Sequence, residues 1–360
     1  MGLSALIGKH LSEKLTRPMN TSSSRSKSST NSTARSISSA SFNKPIIQLS
    51  AFPTPLDVVD YQDPVTVSNS GGDYITLYAF RELVSTVPLF QRYFLPSNYK
   101  IEDLYGNIVN NALVEGSSPF FRDVFHEAQQ KLELYALPSL AGVADTWLPV
   151  YAIPSDWYDL SKKNRFTEIS IDLSENSGSD SSYTHIGSGS EELNWIFNED
   201  NSNSISGDNI KAITFNALEV RLNRPWLNPE VFDLNGWYLT GQRRGLYSSG
   251  NILLNTGIFP LLPTSILIAK DLKIVTQPNT NPKFLSTVSR AIDNNESVSV
   301  GPFVVSSKNN SGSVSRNIVA SSSLHVVAWI STQNPIIPKI DDPNAVFVSS
   351  FDDAFSTAFF

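Results

Sequence analysis

Apolar residues recur at helical spacing in three stretches of the first half of the chain. The clearest is residues 101–113, where seven apolar residues fall at intervals of three and four, which predicts an amphipathic helix. Residues 74–86 form a second predicted helix, which ends before a proline. A third is expected to begin at Ser118 and Pro119, because serine caps helices and proline fits their first turn, and to end before Pro138. We expect the apolar faces of these helices to pack in the hydrophobic core.

Beyond the third helix the pattern becomes alternating, which is typical of strands. It appears in five stretches, residues 147–153, 166–173, 210–222, 264–274 and 324–330. In the third of them the apolar parity switches between Ala217 and Leu218, which predicts a β-bulge or a bend. The sequence therefore predicts an α+β fold, with an α-helical N-terminal half packed on a mainly antiparallel β-sheet or sandwich half. We expect one domain of residues 45–340, helical over 73–137 and β-rich over 146–332.

Residues 1–44 form a basic, Ser-rich arm whose composition differs from that of the rest. Residues 1–45 carry a net charge of +6 and the remainder carries −13, so the total of −7 describes neither part. Residues 3–17 are predicted to form a short amphipathic helix, and the Ser-rich stretch that follows is predicted to be disordered. Residues 1–42 are interpreted as a solvated tail, as an organelle transit or membrane-surface segment, or as an arm that binds nucleic acid through charge alone.

The composition excludes several kinds of chemistry. The 360 residues include no cysteine, which excludes disulfides, thiolate metal sites and cysteine nucleophiles. None of the four histidines has a partner at metal-site spacing, and neither a phosphate-binding Gly-rich loop nor a Gly-x-Ser-x-Gly elbow occurs. No run of about 18 apolar residues exists, so no membrane-spanning helix is expected. We therefore expect no cofactor, no metal and no catalytic residue, and we favour a protein that is not an enzyme.

The densest cluster of tryptophan, proline, glycine and arginine lies between two of the predicted strands. Prolines fix the backbone and glycines allow close approach, so one interpretation is a rigid crossover between sheets that tryptophan holds in place. The other is a recognition loop, in which aromatic rings stack on a glycan or an anionic group and arginines donate forked hydrogen bonds to it. The binding residues of this second interpretation are Trp226, Trp237, Tyr238, Arg243, Arg244 and Tyr247.

Three motifs follow one another in this region: Arg224-Pro225-Trp226, Pro260-Leu261-Leu262-Pro263-Thr264 and Ala269-Lys270-Asp271. Their progression resembles a functionally uncharacterised family of bacterial and fungal proteins that share Arg-Pro-Trp, Pro-Leu-x-Pro-Thr and Ala-(Arg/Lys)-Asp. The likeness spans roughly residues 108–338 and includes Trp147-Leu148-Pro149-Val150-Tyr151-Ala152. The resemblance implies that the helical and β segments form one recurring unit, and it implies no activity, cofactor or catalytic residue.

The C-terminal tail, residues 341–360, is rich in phenylalanine at every fourth position. One face of a short helix there is expected to be almost wholly phenylalanine, and such a face has to dock on its own domain, on a partner or on a membrane surface. The predicted docking residues are Phe347, Phe351, Phe355 and Phe359.

These features favour a non-enzymatic binding or self-assembling structural protein that uses the Trp/Arg-rich loop and the Phe-rich tail. Its partner is expected to be another protein or a second copy of the chain, with a glycan or an anionic ligand as a further candidate. One alternative is a membrane-acting, pore-forming-like protein, in which Ser/Asn-rich arms around residues 174–209 and 306–323 become amphipathic hairpins. Those arms lack the sustained alternation over about nine to eleven residues that a bilayer-spanning strand requires. An unrecognised hydrolase is the other alternative.

Overall fold

The computed structural model describes residues 7–8, 11, 44–114, 119–141, 145–173, 184, 186, 210–278, 282–307 and 312–347. The α-helices of this part of the chain are α1 Tyr74–Val84, α2 Ile101–Asn111, α3 Pro119–Tyr135, α4 Glu230–Asp233 and α5 Pro282–Asp293, and two short 3-10 helices cover Val58–Tyr61 and Lys163–Arg165. Its strands are β1 Ile46–Ser50, β2 Thr86–Pro88, β3 Tyr93–Phe94, β4 Pro96–Lys100, β5 Ala112–Val114, β6 Leu137–Pro138, β7 Thr146–Trp147, β8 Tyr151–Ile153, β9 Thr167–Asp172, β10 Ile210–Asn223, β11 Trp237–Leu239, β12 Leu261–Thr276, β13 Val298–Val300, β14 Phe303–Ser306, β15 Ser313–Ser315, β16 Ile318–Ser321 and β17 His325–Gln333. None of the described helices is both long enough and apolar enough to cross a membrane.

One large mixed sheet, with nine strands among the described residues, organises the fold, and β12 lies at its centre. One edge of β12 pairs with β10, and its other edge pairs with β17 and then with β16. Beyond β10 lie β8 and β9, whereas β17 continues to β1, which pairs in parallel with β3. All the other pairings of this sheet are antiparallel.

Both faces of the sheet are covered, and this explains the unbroken apolar run in β12. Leu267 and Ala269 belong to a cluster that includes residues of α5, β13 and β14. Ile266 and Ile268 belong to a second cluster, which includes residues of α1. A strand that is buried on both faces carries apolar side chains at successive positions rather than at alternate ones.

The parity switch in β10 has the same cause. Phe215 and Ala217 pack in the first cluster, and Leu218 packs in the second. The strand therefore buries one face in its first half and the other face in its second half. Its pairing with β12 is irregular slightly earlier than the predicted bulge, between Thr214 and Asn216, where β12 contains one residue more than β10.

The prediction of an α-helical N-terminal half was wrong. Of the residues that the structure describes, 37% lie in strands and 25% in helices, and the helices are scattered through the chain. Strand β1 joins the large sheet, β2 to β5 alternate with α1 and α2, and α5 lies within the half that was expected to be β. Strands of two to five residues are too short to show a period, so their pairing with other strands of the folded chain determines them.

The basic arm contributes to the core. Ile7 and Leu11 are fully buried and belong to the first cluster, together with residues of β10 and α5. Both lie in the stretch where apolar spacing predicts a short amphipathic helix, and residues 7, 8 and 11 are helical. At these two positions the apolar face of the arm packs against the folded domain.

Candidate functional site

The six residues predicted to bind a ligand separate into a buried and an exposed group. Trp226, Trp237, Tyr238 and Tyr247 are buried, and the first two and Tyr247 pack with residues of α2 and α3. The Trp226 indole N–H donates to the Pro149 carbonyl at 2.7 Å, and the Tyr247 hydroxyl donates to the Asn107 side chain at 2.8 Å. These four rings therefore belong to the interior of the protein, and ligand binding by the six residues stays a prediction.

The two arginines, by contrast, lie at the surface, at the base of an exposed apolar loop. We call residues 243–254 the leucine loop. Leu253 is 82% exposed and Leu254 is 67% exposed, and two further apolar residues of the loop, Leu246 and Ile252, are exposed as well. Large apolar side chains that lie together in solvent mark surfaces that bind other molecules.

A buried polar network holds the leucine loop in place. The Asn255 side chain, only 5% exposed, accepts from the Ser249 N–H at 3.0 Å and donates to the Ser248 hydroxyl at 2.9 Å. At Gly257 a Cβ atom would lie 2.2 Å from the Tyr247 carbonyl oxygen, so the chain accepts only glycine there. The exposed leucines therefore project from a fixed base.

The C-terminal segment wraps around this base. We call residues 334–347 the strap. The Tyr247 N–H donates to the Ile337 carbonyl at 2.8 Å, and the Arg244 N–H donates to the Asp341 carboxylate at 2.7 Å. The neighbouring carboxylate of the strap, Asp342, is 5% exposed. Hydrogen bonds from the backbone N–H groups of Gly241 and Asn344 lower its pKa.

The predicted recognition loop and the predicted docking tail meet here. The Arg243 guanidinium lies over the Phe347 ring, with its central carbon 5.2 Å from the ring centroid, which is a cation–π contact. Phe347 therefore contacts its own domain. The other three predicted docking residues lie outside the described residues, and they are Phe351, Phe355 and Phe359.

A cleft of about 600 Å³ lies beside Leu324, the residue that precedes β17. We call it the acidic cleft, because Asp57 and Asp60 are its charged residues. Their charges, after burial itself, raise the pKa of Tyr61 to about 12. The rest of its lining combines apolar side chains with hydroxyls, namely Pro55, Leu56, Val58, Leu160, Leu324, Ser297, Ser307 and Ser322.

The two surfaces lie at opposite ends of one strand. The Leu56 N–H donates to the carbonyl of Leu324, the residue before β17, at 2.7 Å. The Ser248 hydroxyl donates to the carbonyl of Asn334, the residue after β17, at 2.8 Å. The nine residues of β17 span about 26 Å at about 3.3 Å per step. A single molecule therefore presents a leucine loop at one end of β17 and an acidic cleft at the other.

Neither protein-family models, nor curated proteins, nor solved structures match this chain. The resemblance to an uncharacterised bacterial and fungal family stays a prediction. Its motifs contain residues with structural contacts, because the Arg224 guanidinium donates to the carbonyls of Val84 and Pro263, and Asp271 accepts from Asn216.

The structure also locates two of the histidines and the predicted Ser/Asn-rich arms, within the limits of the described residues. These residues contain no group of three or more His, Asp or Glu side chains that could hold a metal ion. His325 is fully buried, and His126 is exposed and contacts Gln130. The Ser/Asn-rich arm around residues 174–209 lies almost wholly outside the described residues, whereas β15 and β16 of the other arm pair within the large sheet.

Sequence reasoning missed the leucine loop and the acidic cleft. The apolar run at 252–254 stands between two asparagines and two glycines. This pattern is typical of a turn with apolar residues at its tip. The cleft gave no comparable pattern, because its residues come from segments that are distant in the sequence and meet only in the folded chain.

Proposed function

We propose that this protein is a non-enzymatic, self-assembling structural protein whose copies join head to tail. The leucine loop of one copy enters the acidic cleft of the next. The observation that carries the proposal is that Leu253 and Leu254 are held in solvent by a buried network, while a cleft of complementary chemistry lies at the other end of the same strand.

The two surfaces are complementary in polarity. Leu253 and Leu254 lose water by packing against the leucine, valine and proline side chains of the cleft, and burying one leucine fully is worth about 1.5–3 kcal/mol. The cleft hydroxyls provide acceptors for arginine N–H groups near its rim.

The two surfaces are also complementary in charge. Arg243 and Arg244 are the first two residues of the loop, and Asp57 and Asp60 line the cleft. The body of the chain carries −13, so a basic loop is attracted to the acidic surface of another copy. Opposite charges at an interface increase the association rate and favour one orientation over others.

A second copy fits better than the same molecule because β17 keeps the two surfaces about 26 Å apart. An interface between two different surfaces of identical subunits is heterologous. Repeating it gives either a closed ring or an open filament, depending on the rotation between copies. The proposal therefore expects oligomers that grow with concentration.

The variant Leu253→Asp tests the hydrophobic part of the contact. We expect it to weaken self-association by roughly 10- to 100-fold, because a charged carboxylate replaces a leucine that the proposed contact buries. Sedimentation velocity over a range of concentrations measures the shift. Raising the salt concentration should weaken association of the wild type as well, because the arginine and aspartate charges are screened.

The matched control is Leu134→Asp, which changes another leucine, 75% exposed, on α3. It should associate like the wild type. The proposal is overturned if the wild type stays monomeric at all concentrations, or if Leu253→Asp and Leu134→Asp behave alike. Flotation of monomers with anionic vesicles that depends on Leu253 would instead assign the loop to a membrane surface and refute the assembly.

A further inference from the structure

A second cleft, separate from the assembly surfaces, lies between helices α1, α2 and α3 and the segment that follows α3. We call it the helix cleft. Its volume is about 800 Å³, within the range of roughly 300–1,000 Å³ that is common for small-molecule sites. Seven of its twelve lining residues are polar or charged: Arg81, Glu102, Asp103, Asn110, Gln129, Glu133 and Thr146.

A buried ion pair lies against this cleft. Arg81 and Glu102 are each 7% exposed, and the guanidinium of Arg81 pairs with the carboxylates of Glu102 and Glu82. Burial raises the pKa of Glu102, and the neighbouring Arg81 opposes that effect. The Nε atom of Arg81 has no hydrogen-bond partner among the described residues. The ion pair therefore holds two polar side chains of the cleft lining in fixed positions.

The charges of the helix cleft decide which ligands it suits. Asp103 and Glu133 are exposed carboxylates, and the positive charge of Arg81 is already paired, so an anionic ligand is repelled. The described residues hold no metal-binding group of side chains here. The site therefore favours a ligand without negative charge that uses many hydrogen bonds.

The remaining lining specifies the shape of such a ligand. Asn110 and Gln129 carry amides that donate and accept, and Thr146 carries a hydroxyl that does both. Trp147 and Leu132 add apolar surface to the same cleft. Polyhydroxylated rings combine hydroxyls around their edge with apolar C–H faces, and they match this mixture of donors, acceptors and apolar wall.

We infer that the helix cleft binds a neutral oligosaccharide. Hydroxyl groups of the sugar donate to the carboxylates of Asp103 and Glu133 and exchange hydrogen bonds with Asn110. The apolar face of a ring packs toward Trp147. Binding at this site is independent of the leucine loop, and so the two proposals fail or succeed separately.

Titration calorimetry with a panel of neutral oligosaccharides, built from glucose, xylose, mannose or N-acetylglucosamine, tests this site. The Leu253→Asp variant serves as the background, so that self-association does not interfere. We expect saturable binding of at least one member, which Asn110→Ala and Glu133→Ala each weaken by roughly tenfold through a lost hydrogen bond. Glu133→Gln keeps an acceptor and should retain affinity within about threefold.

The control variant is Glu127→Gln, which lies on α3 and is exposed but does not line the cleft. It should bind like the background protein. Failure of every oligosaccharide to bind at millimolar concentration overturns the inference. Saturable binding of a polyamine such as spermidine that Glu133→Gln abolishes would also overturn it, because that result assigns the cleft to cations.

Discussion

Replacing Arg224 by alanine is expected to lower the free energy of unfolding by about 3–5 kcal/mol, because two buried hydrogen bonds from a charged donor are lost, each worth about 1.5–3 kcal/mol. The Arg224 side chain is almost wholly buried. Its guanidinium donates to the Pro263 carbonyl at 2.6 Å and to the Val84 carbonyl at 3.0 Å. Burial lowers its pKa to about 10, so it stays charged at neutral pH. Its removal leaves two buried carbonyls without a donor and separates the end of α1 from the start of β12.

Chemical denaturation measures this loss, and two variants serve as comparisons. Arg224→Lys keeps the charge but cannot reach both carbonyls, so it should also destabilise the fold. Arg221→Ala removes an exposed arginine three residues earlier and should change the free energy by no more than about 0.5 kcal/mol. If Arg224→Ala and Arg221→Ala destabilise the protein equally, Arg224 does not join these segments.

Acidification from pH 6.5 to pH 4 is expected to remove about 3 kcal/mol of stability through His325 alone. This histidine is fully buried, and burial lowers its pKa to about 4, against the opposing effect of a hydrogen bond with the Ser323 carbonyl. In the unfolded chain its pKa is about 6.5, so below that pH the unfolded state takes up a proton that the folded state does not. Each pKa unit of difference corresponds to about 1.4 kcal/mol.

The pH dependence of the variant His325→Gln isolates this contribution. Its stability should fall by about 3 kcal/mol less than that of the wild type over the same range, because the variant has no imidazole to protonate. The carboxylates titrate alike in both proteins and cancel in the difference. His126→Gln changes an exposed histidine and should retain the wild-type profile. Identical profiles for the wild type and His325→Gln would contradict the prediction.

The long elements were predictable because their patterns repeat over several turns or residue pairs. The apolar spacing over 101–113 predicted a helix, and α2 covers Ile101–Asn111. The alternation over 210–222 predicted a strand, and β10 covers Ile210–Asn223. Helix α5 was not predicted, although Phe284, Val288 and Ala291 have helical spacing behind a proline. The prediction of a β-rich segment over 146–332 covered these residues.

Strand β1 was not predictable from local pattern. All five of its residues are buried, and neither alternation nor a helical period distinguishes them from an extended segment on a surface. Its strand structure follows from pairing with β17, some 280 residues later in the chain, and with β3. Such pairings are decided by the whole fold.

The candidate site was predictable only in part. Composition pointed to the region of Arg243 and Arg244, but it could not separate these exposed residues from Trp226 and Trp237, which are buried. Tryptophan and arginine are enriched both in cores and at interfaces, so residue type does not distinguish the two locations. The exposed fraction of each residue in the structure distinguishes the two arginines from the two tryptophans.

The head-to-tail contact is tested most directly by mixing two variants that block opposite ends. Leu253→Asp combined with Leu254→Asp blocks the leucine loop and leaves the cleft intact. Asp60→Arg combined with Ser322→Arg places positive charge in the acidic cleft, at two exposed positions, and leaves the loop intact. Each variant alone should sediment as a monomer, because each lacks one of the two surfaces that a heterologous contact needs.

An equimolar mixture of the two should form dimers and nothing larger, since only one functional loop and one functional cleft can meet in each pair. Mass photometry or sedimentation equilibrium reports the mass of the complex. A mixture that stays monomeric, or a cleft variant that still associates by itself, would contradict head-to-tail assembly.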